Sequence, residues 1–196
     1  MIKFSILVST IPRRINTFFP NLINKLLYQI DDRSDIEVLG FFDNKKRSVG
    51  SKRNELLRMA QGEFLTFIDD DDDIPDDYIT SIMTCLQDNP TADCVVFDCI
   101  TTINDDPSQE TYSQYSIRYD YVQWRDGNGR LQWRGKPAHT MVWKSAIAKK
   151  YSYINNNYGE DVDWVKRAYT EIKNEVRLDK VLYLYHFDNR ISETRG

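Results

Sequence analysis

Short apolar runs separated by helical repeats organise the first hundred residues of the chain. Runs of mostly apolar residues are typical of buried strands, and they predict strands at Phe4–Ser9, Glu37–Phe42, Phe64–Ile68 and Cys94–Phe97. After the first run, apolar residues recur every three or four positions, as they do on one face of a helix. The repeat predicts a helix that begins near Pro20, because proline fits the first turn of a helix better than its interior.

Two further helices are predicted from capping and turn residues. Ser51 can cap a helix that Gly62 stops, and Pro75 and Tyr78 open another helix. Strands that alternate with helices favour right-handed βαβ units. We therefore predict an α/β fold with a mostly parallel central sheet flanked by helices.

Ligands of such sheets bind beyond the carboxyl ends of the strands. Thr10, Asp43 and the run Asp69–Asp73 each follow a predicted strand. These polar residues are therefore expected to meet at one edge of the sheet.

The pattern changes after Tyr112. Apolar residues alternate at period two from Tyr115 to Tyr121, and Asp126–Gly129 is a strong turn signal between Gln123–Arg125 and Gln132–Arg134. An antiparallel hairpin laid against the sheet is the predicted structure.

The last part of the chain is predicted to contain one helix and one strand. The helix lies near Asp161–Lys173, with Val162, Val165 and Tyr169 facing inward, and the strand covers Val181–Tyr185.

Length and composition indicate a single compact domain. The chain has 196 residues, of which 41% are hydrophobic, enough to bury a core. We expect neither a secretory signal nor a membrane span, because the longest opening apolar stretch is only Phe4–Val8. Cys85, Cys94 and Cys99 are odd in number and lack C-x-x-C spacing, which favours a reducing, cytoplasmic setting.

Five consecutive carboxylates at Asp69–Asp73 follow the third predicted strand. Like charges this close repel unless a cation compensates, and ligands that are all oxygen favour Mg²⁺ or Mn²⁺ over zinc. An EF-hand loop starting at Asp69 is excluded, because Ile74 and Thr80 stand where it needs Gly and Glu. The alternative is a solvated acidic turn.

Several short motifs follow one another along most of the chain. They are Thr-x-Pro at 10–12, Asp43, Gly50-Ser51-Lys52-Arg53-Asn54, Ala60-x-Gly62-Glu63, Phe67-Ile68 before the aspartates, and Gly159-Glu160-Asp161. Their order and spacing resemble those of a GT-A fold glycosyltransferase of the family 2 type. The resemblance implies one GT-A domain with a nucleotide-sugar-binding half at 1–100 and an acceptor-binding half at 101–196.

The resemblance also implies roles for the donor-site residues. Asp77-Tyr78-Ile79 places the D-x-D motif at Asp69–Asp71, so that Asp71 binds the metal while Asp69 and Asp70 hold the ribose and a metal-bound water. The implied ligands of Mn²⁺ or Mg²⁺ are Asp71, Asp69 and His186, although a histidine at a strand end is commonly an ordinary hydrogen-bonded residue. A basic residue of the closing loop, such as Arg190, would hold the diphosphate.

By the same resemblance, four more residues would bind the donor nucleotide. Thr10 and Pro12 lie at the nucleotide, Asp43 recognises the base and Arg53 reaches the nucleotide. Asp43 and Arg53 could instead be a helix cap and a surface arginine. Lys52 could be solvated, or it could bring positive charge toward the phosphates at the site.

Asp161 would be the general base of an inverting transfer, with Glu160 helping to hold the acceptor. Acidic residues at a helix start also stabilise the helix dipole without any catalytic role.

Charge separates the acidic run from a basic segment. Residues 112–150 carry eight Lys or Arg against two Asp, interleaved with aromatic residues. The acceptor candidates are in this segment: Trp124, Trp133, Arg134 and His139. Aromatic residues at period two are also common in hairpin packing.

The sequence therefore predicts a soluble, metal-dependent, inverting glycosyltransferase that uses a nucleoside diphosphate sugar, with UDP as the expected nucleotide. The acceptor would be a carbohydrate or another hydroxyl compound. Three alternatives stay open: a retaining or nucleotidyl transfer, a transfer to a modified base in DNA, and a non-catalytic nucleic-acid-binding module. The Q-x-x-R-W signature of processive synthases is absent, which favours single additions.

Overall fold

The computed structural model describes residues 1–104 and 106–188, and Arg190 lies outside them. The first part of the chain alternates strands and helices: β1 (Phe4–Thr10), α1 (Phe18–Ile30), β2 (Ile36–Phe42), α2 (Val49–Met59), β3 (Phe64–Phe67), α3 (Tyr78–Asp88) and β4 (Cys94–Ile103). The predicted strands and helices of this part are all present.

The second part contains more strands than helices. In chain order they are β5 (Asp106–Tyr115), β6 (Val122–Arg125), β7 (Leu131–Gly135), β8 (Val142–Lys144), α4 (Ser145–Ala148), α5 (Glu160–Ala168), a 3₁₀ turn (Tyr169–Glu171) and β9 (Glu175–Phe187).

The strands of the described part form one mixed sheet in the order β2-β1-β3-β8-β4-β5-β7-β6, with β9 paired to β4. β1 is parallel to both β2 and β3, and β4 is parallel to β9. β8 lies antiparallel between β3 and β4. The sequence predicted a mostly parallel sheet without naming its strand pairs, and the insertion of β8 depends on pairing between residues far apart in the chain.

The centre of the fold is a continuous apolar cluster. Phe4, Phe64 and Phe97 on the strands are fully buried, and so is Trp143 on β8. The cluster draws residues from both halves of the chain, which makes the sheet a shared core. Its carboxyl-end edge is thereby fixed as a rigid rim for polar groups.

Helix α2 begins three residues earlier than predicted. Ser48, not Ser51, is the N-cap, and its Oγ accepts a hydrogen bond of 3.1 Å from the backbone N–H of Ser51. The helix ends at Met59, and Gly62 lies beyond it, where a Cβ would come within 2.6 Å of Ser5 Oγ. Gly62 therefore permits close packing against β1 and does not stop the helix.

Helix α5 is shorter than predicted, and only part of its predicted inward face is buried. It ends at Ala168; Trp164 and Ala168 are fully buried and Val165 is buried as predicted, whereas Val162 is 50% exposed. The prediction of Val162 as an inward position was wrong, because Val162 lies two positions from the buried Trp164, about 200° around the helix, and therefore points away from the core. Strand β9 is longer than the predicted Val181–Tyr185 at both ends.

The hairpin is confirmed as β6 and β7, with Trp124 opposite Gln132 and Gln123 opposite Trp133. It joins the sheet through β5. Residues 116–121, whose alternation resembles a strand, form a turn and loop between β5 and β6. Among the described residues no helix is long and apolar enough to cross a membrane.

Candidate active site

A cavity of about 670 Å³ opens beyond the carboxyl ends of β1 and β3. Its acidic lining combines Asp69, Asp70 and Asp71 with Glu160 and Asp161 at the start of α5. The two acidic motifs, separated by about ninety residues in sequence, therefore face one space. The carboxyl edge of the sheet is where the sequence placed them.

Arg14 and Thr10 organise the first acidic group. Arg14 Nη1 lies 2.8 Å from Asp70 Oδ1 and Nη2 lies 2.6 Å from Asp71 Oδ2, and the arginine is almost fully buried. Thr10 Oγ1 donates to Asp70 Oδ2 at 2.6 Å. Burial nevertheless raises the pKa of Asp71 to about 7, and repulsion by Asp69 and Asp70 adds to it. The positive charge of Arg14 therefore does not compensate for the burial of Asp71 and the repulsion by its neighbours.

Strand β9 holds the aspartate run from the other side. Asp73 and Leu184 exchange two backbone hydrogen bonds of 2.9 Å. Tyr183 Oη donates to Asp72 Oδ2 at 2.6 Å and accepts from the backbone N–H of Asp69 at 3.1 Å. The backbone N–H of His186 donates to Asp72 Oδ1 at 2.9 Å. Asp72 is therefore a structural anchor of the run, and the side chains of Asp70 and Asp71 remain at the cavity.

Arg53 joins the two acidic motifs. Its Nη2 donates to Asp69 Oδ1 at 2.9 Å and its Nη1 donates to Glu160 Oε1 at 2.6 Å. The arginine is 4% exposed, and burial raises the pKa of Glu160, opposed by the charge of Arg53. Arg53 lines the cavity, as a donor-binding residue must, but it also holds the donor edge and α5 together.

His139 lies between the same two motifs. Its Nδ1 is 3.7 Å from Asp161 Oδ2 and its Nε2 is 3.9 Å from Asp69 Oδ2. Burial and the nearby charge of Arg53 lower the pKa of His139 to about 4, so the ring is neutral near pH 7. The sequence placed His139 at the acceptor, and the structure brings it next to Asp161.

The segment 154–158 positions the start of α5 by docking on α2. The backbone N–H of Gly50 donates to Asn156 O at 3.0 Å, and that of Val49 donates to Asn157 Oδ1 at 2.9 Å. A Cβ on Gly50 would lie 1.9 Å from Ile154 O, so only glycine permits this approach. Gly159 then turns the chain into α5 with a left-handed φ of 75°.

The turn at Gly159 directs the acidic start of α5 toward the cavity. The side chain of Asp161 keeps 35% of its surface exposed, whereas that of Glu160 is 5% exposed and paired with Arg53. Of the two acids, Asp161 is the one accessible to a substrate.

The side chains around Asp71 include carboxylates and a histidine, which are residue types that can bind a divalent cation. Asp69 and Asp71 line the main cavity, and Asp71 also lines an adjacent cavity of about 430 Å³ that contains His186. His186 Nδ1 pairs with Thr102 Oγ1 at 2.9 Å. No group of three His, Cys, Asp or Glu side chains in residues 1–104 and 106–188 is arranged to hold a metal ion. A cation would need oxygen ligands from the substrate as well.

Other predicted site residues lie outside the lining of the main cavity, as far as the structure describes it. Pro12 is exposed, and Asp43 caps its own loop by accepting from the backbone N–H groups of Lys45 and Arg47. Trp124 and Arg134 pack on each other in the hairpin, with the guanidinium 5.7 Å from the ring centroid.

The basic side chains of the hairpin are largely engaged within it. Arg130 pairs with Glu110 at 3.1 Å, Arg125 donates to Gly129 O at 2.7 Å, and Lys136 donates to Ile117 O at 3.0 Å. Trp133 packs against Tyr115 and Tyr121. Recognition of nucleic acid by this hairpin stays a prediction.

Sequence reasoning missed two contributors to the site. Arg14 and Tyr183 gave no motif signal, since their partners are distant in the chain. For Lys52 the sequence left two alternatives open, a solvated lysine or a positive charge near the phosphates, and in the structure it is 1% exposed and lines the cavity. Its place in helix α2 next to Arg53 was the only available signal.

A mixed sheet with aspartates after its third strand and an acidic helix start facing them is the arrangement of a GT-A glycosyltransferase. The sequence profile described as glycosyl transferase family 2 matches residues 23–153. The chain therefore belongs to glycosyl transferase family 2.

Solved structures support the fold. The chain is similar to residues 1–349 of S. aureus TarS in complex with UDP-GlcNAc, with 17% identity, a TM-score of 0.64, and coverage of 94% of this chain and 58% of that one. The complex of the same TarS fragment with UDP gives 17% identity, a TM-score of 0.64 and coverage of 94% and 60%. No curated protein matches the chain by sequence. The chain thus spans less than two thirds of the TarS fragments.

Proposed function

We propose that the protein is a metal-dependent, inverting glycosyltransferase that moves a sugar from a nucleoside diphosphate sugar to an acceptor hydroxyl. The observation that carries this proposal is that Asp71 and Asp161 line one cavity. UDP is the proposed nucleotide, because the similar TarS structures contain UDP-GlcNAc and UDP.

The proposed reaction is a single displacement. The acceptor oxygen attacks the anomeric carbon, its proton passes to Asp161, and the bond from that carbon to the diphosphate oxygen breaks with its electron pair. Attack opposite the leaving group inverts the configuration. Asp161 suits this role because its carboxylate is exposed to the cavity while Glu160 is tied to Arg53.

The diphosphate must lose negative charge as it leaves. A Mn²⁺ or Mg²⁺ ion bound at Asp71 would supply Lewis-acid stabilisation of the departing oxygens. Arg14, within 2.6 Å of Asp71, is a second cation at the same place. Asp69 and Asp70 would position the ribose edge of the donor, with Thr10 and Arg14 holding Asp70.

The proposal also covers the domain organisation of the chain and its location in the cell. One domain contains a donor half at 1–100 and an acceptor half at 101–196. All three cysteines are buried free thiols, which supports a reducing, cytoplasmic setting.

Asp161→Asn tests the proposed base. The amide keeps the size and hydrogen bonding of the side chain but cannot accept the acceptor proton, so donor turnover should fall by about 10²–10⁴-fold. Hydrolysis of UDP-GlcNAc with Mn²⁺ measures turnover without a known acceptor, and calorimetry measures UDP binding. We expect UDP affinity to change less than threefold.

Asp179→Asn is the matched control, since Asp179 is 89% exposed on β9, outside the lining of the cavity, and pairs with Arg177. It should retain turnover. Full activity of Asp161→Asn would refute the assignment of the base, and once an acceptor is found, retention of anomeric configuration would refute the inverting mechanism.

A further inference from the structure

Helix α2 contributes an unpaired cation to the cavity. Lys52 is 1% exposed and lines the same cavity as Asp71 and Asp161. Its Nζ makes no hydrogen bond or ion pair with any residue in 1–104 or 106–188. The other buried cations there differ: Arg14 pairs with two aspartates and Arg53 pairs with Asp69 and Glu160.

An ammonium group that is removed from water without a partner is costly to the folded protein. The cost is offset only when an anion enters the cavity. Lysine is a compact, strongly hydrated charge that commonly binds phosphate oxygens as a point charge. A cavity that accepts a nucleoside diphosphate would supply such oxygens.

The position of Lys52 in the helix supports this. Val49, Lys52 and Arg53 are the residues of α2 that line the cavity, together with Ser9 and Ile11 at the end of β1. Arg53 is committed to the carboxylates on both sides of it. Lys52 is therefore the cation of α2 that is available to a ligand.

We propose that Lys52 binds a phosphate oxygen of the donor nucleoside diphosphate. This inference rests on the proposed function and adds a diphosphate-binding residue to it. Lys52 holds the donor in place and takes no part in proton transfer.

Lys52→Met tests the inference with two readouts of opposite sign. Methionine has a similar length without the charge, so the unliganded variant should melt at a higher temperature than the wild type. Its affinity for UDP in the presence of Mn²⁺, measured by calorimetry, should be about tenfold weaker or worse. A merely structural lysine would give a lower melting temperature instead.

Uridine and UMP separate the parts of the ligand. Uridine should bind both proteins equally, and the loss should appear with UMP or UDP. Equal loss with uridine would mean that Lys52 contacts the nucleoside, and the proposal would be wrong.

Two controls make the outcome unambiguous. Lys173→Met changes an exposed lysine just before β9 and should change neither readout. Lys52→Arg keeps the charge and should retain more affinity than Lys52→Met; it also serves if the methionine variant does not fold. If wild-type protein binds no UDP, the proposed function fails; if it binds UDP and both Lys52 variants bind it equally well, only this inference fails.

Discussion

At the scale of single residues, the carboxylates at the cavity outnumber the arginines that pair with them. Arg53 pairs with Asp69 and Arg14 is shared by Asp70 and Asp71, whereas Asp72 is held by Tyr183 and a backbone N–H. Within the described part of the chain, these four carboxylates thus share two paired arginines. Burial raises the pKa of Asp72 well above its ordinary value, and repulsion by Asp69 and Asp71 adds to this. The excess of carboxylates is the residue-scale reason to expect a cation.

Asp71→Asn should abolish the stabilisation that metal and nucleotide give together. Saturating UDP with Mn²⁺, at about a hundredfold excess over Kd, should stabilise the wild type by about 2.7 kcal/mol, or about 5–10 °C in melting temperature. The variant should lose most of this shift. It should not unfold, because replacing one carboxylate in a crowded acidic group relieves repulsion.

Asp76→Asn is the control, since its carboxylate is 98% exposed in the same acidic stretch. Its melting temperature should respond to UDP and Mn²⁺ as the wild type does. A metal-dependent shift that survives Asp71→Asn would place the cation elsewhere.

At the scale of elements, the docking of segment 154–158 on α2 sets where Asp161 stands. Ser48 Oγ donates to Asn155 Oδ1 at 2.5 Å, and Asn54 binds the backbone of Tyr153 through both its amide atoms. Helix α2 thus contributes Lys52 and Arg53 to the cavity and also holds the segment that leads into α5.

Gly50→Ala tests this docking through the sign of its effect on the free energy of unfolding. In an unobstructed helix, alanine would stabilise by about 0.5–1 kcal/mol relative to glycine. Here the Cβ would meet Ile154 O, so we expect a loss of about 1–3 kcal/mol in the free energy of unfolding, measured by urea denaturation. Weaker donor turnover should accompany it, because α5 moves with the segment.

Gly127→Ala is the matched substitution, since a Cβ at Gly127 would have no neighbour within 4 Å. It should change the free energy of unfolding by less than about 0.5 kcal/mol. A stabilised Gly50→Ala protein would show that the segment does not dock closely on α2.

At the scale of the whole molecule, the two halves share one core. The apolar cluster runs from Phe4 to Tyr183, and β8 pairs with both β3 and β4. Because neither half closes its core alone, we expect a single cooperative transition on heating.

The placement of chromophores allows a direct test. All four tryptophans lie in the second half, at 124, 133, 143 and 164, whereas helices α1, α2 and α3 lie in the first. Tryptophan fluorescence and far-UV circular dichroism at 222 nm should therefore report mainly different halves. Coincident melting curves are expected; separated midpoints would divide the chain into two domains.

The sequence alone determined the regular elements of the first half and the place of the acidic site. The apolar runs gave the strands because buried strands need continuous apolar residues, and the aspartates had to follow the third strand. The family resemblance from ordered motifs was also available at this stage, and the profile match agrees with it.

Only the tertiary structure decided which charged groups meet. Arg14 on Asp71, Arg53 between Asp69 and Glu160, His139 beside Asp161, and the clamp of β9 on the aspartate run all join residues at least sixteen positions apart. No local pattern encodes such pairs, because side-chain periodicity specifies which face is buried and not what lies opposite it. The same long-range packing buries Lys52, which distinguishes it from a solvated lysine.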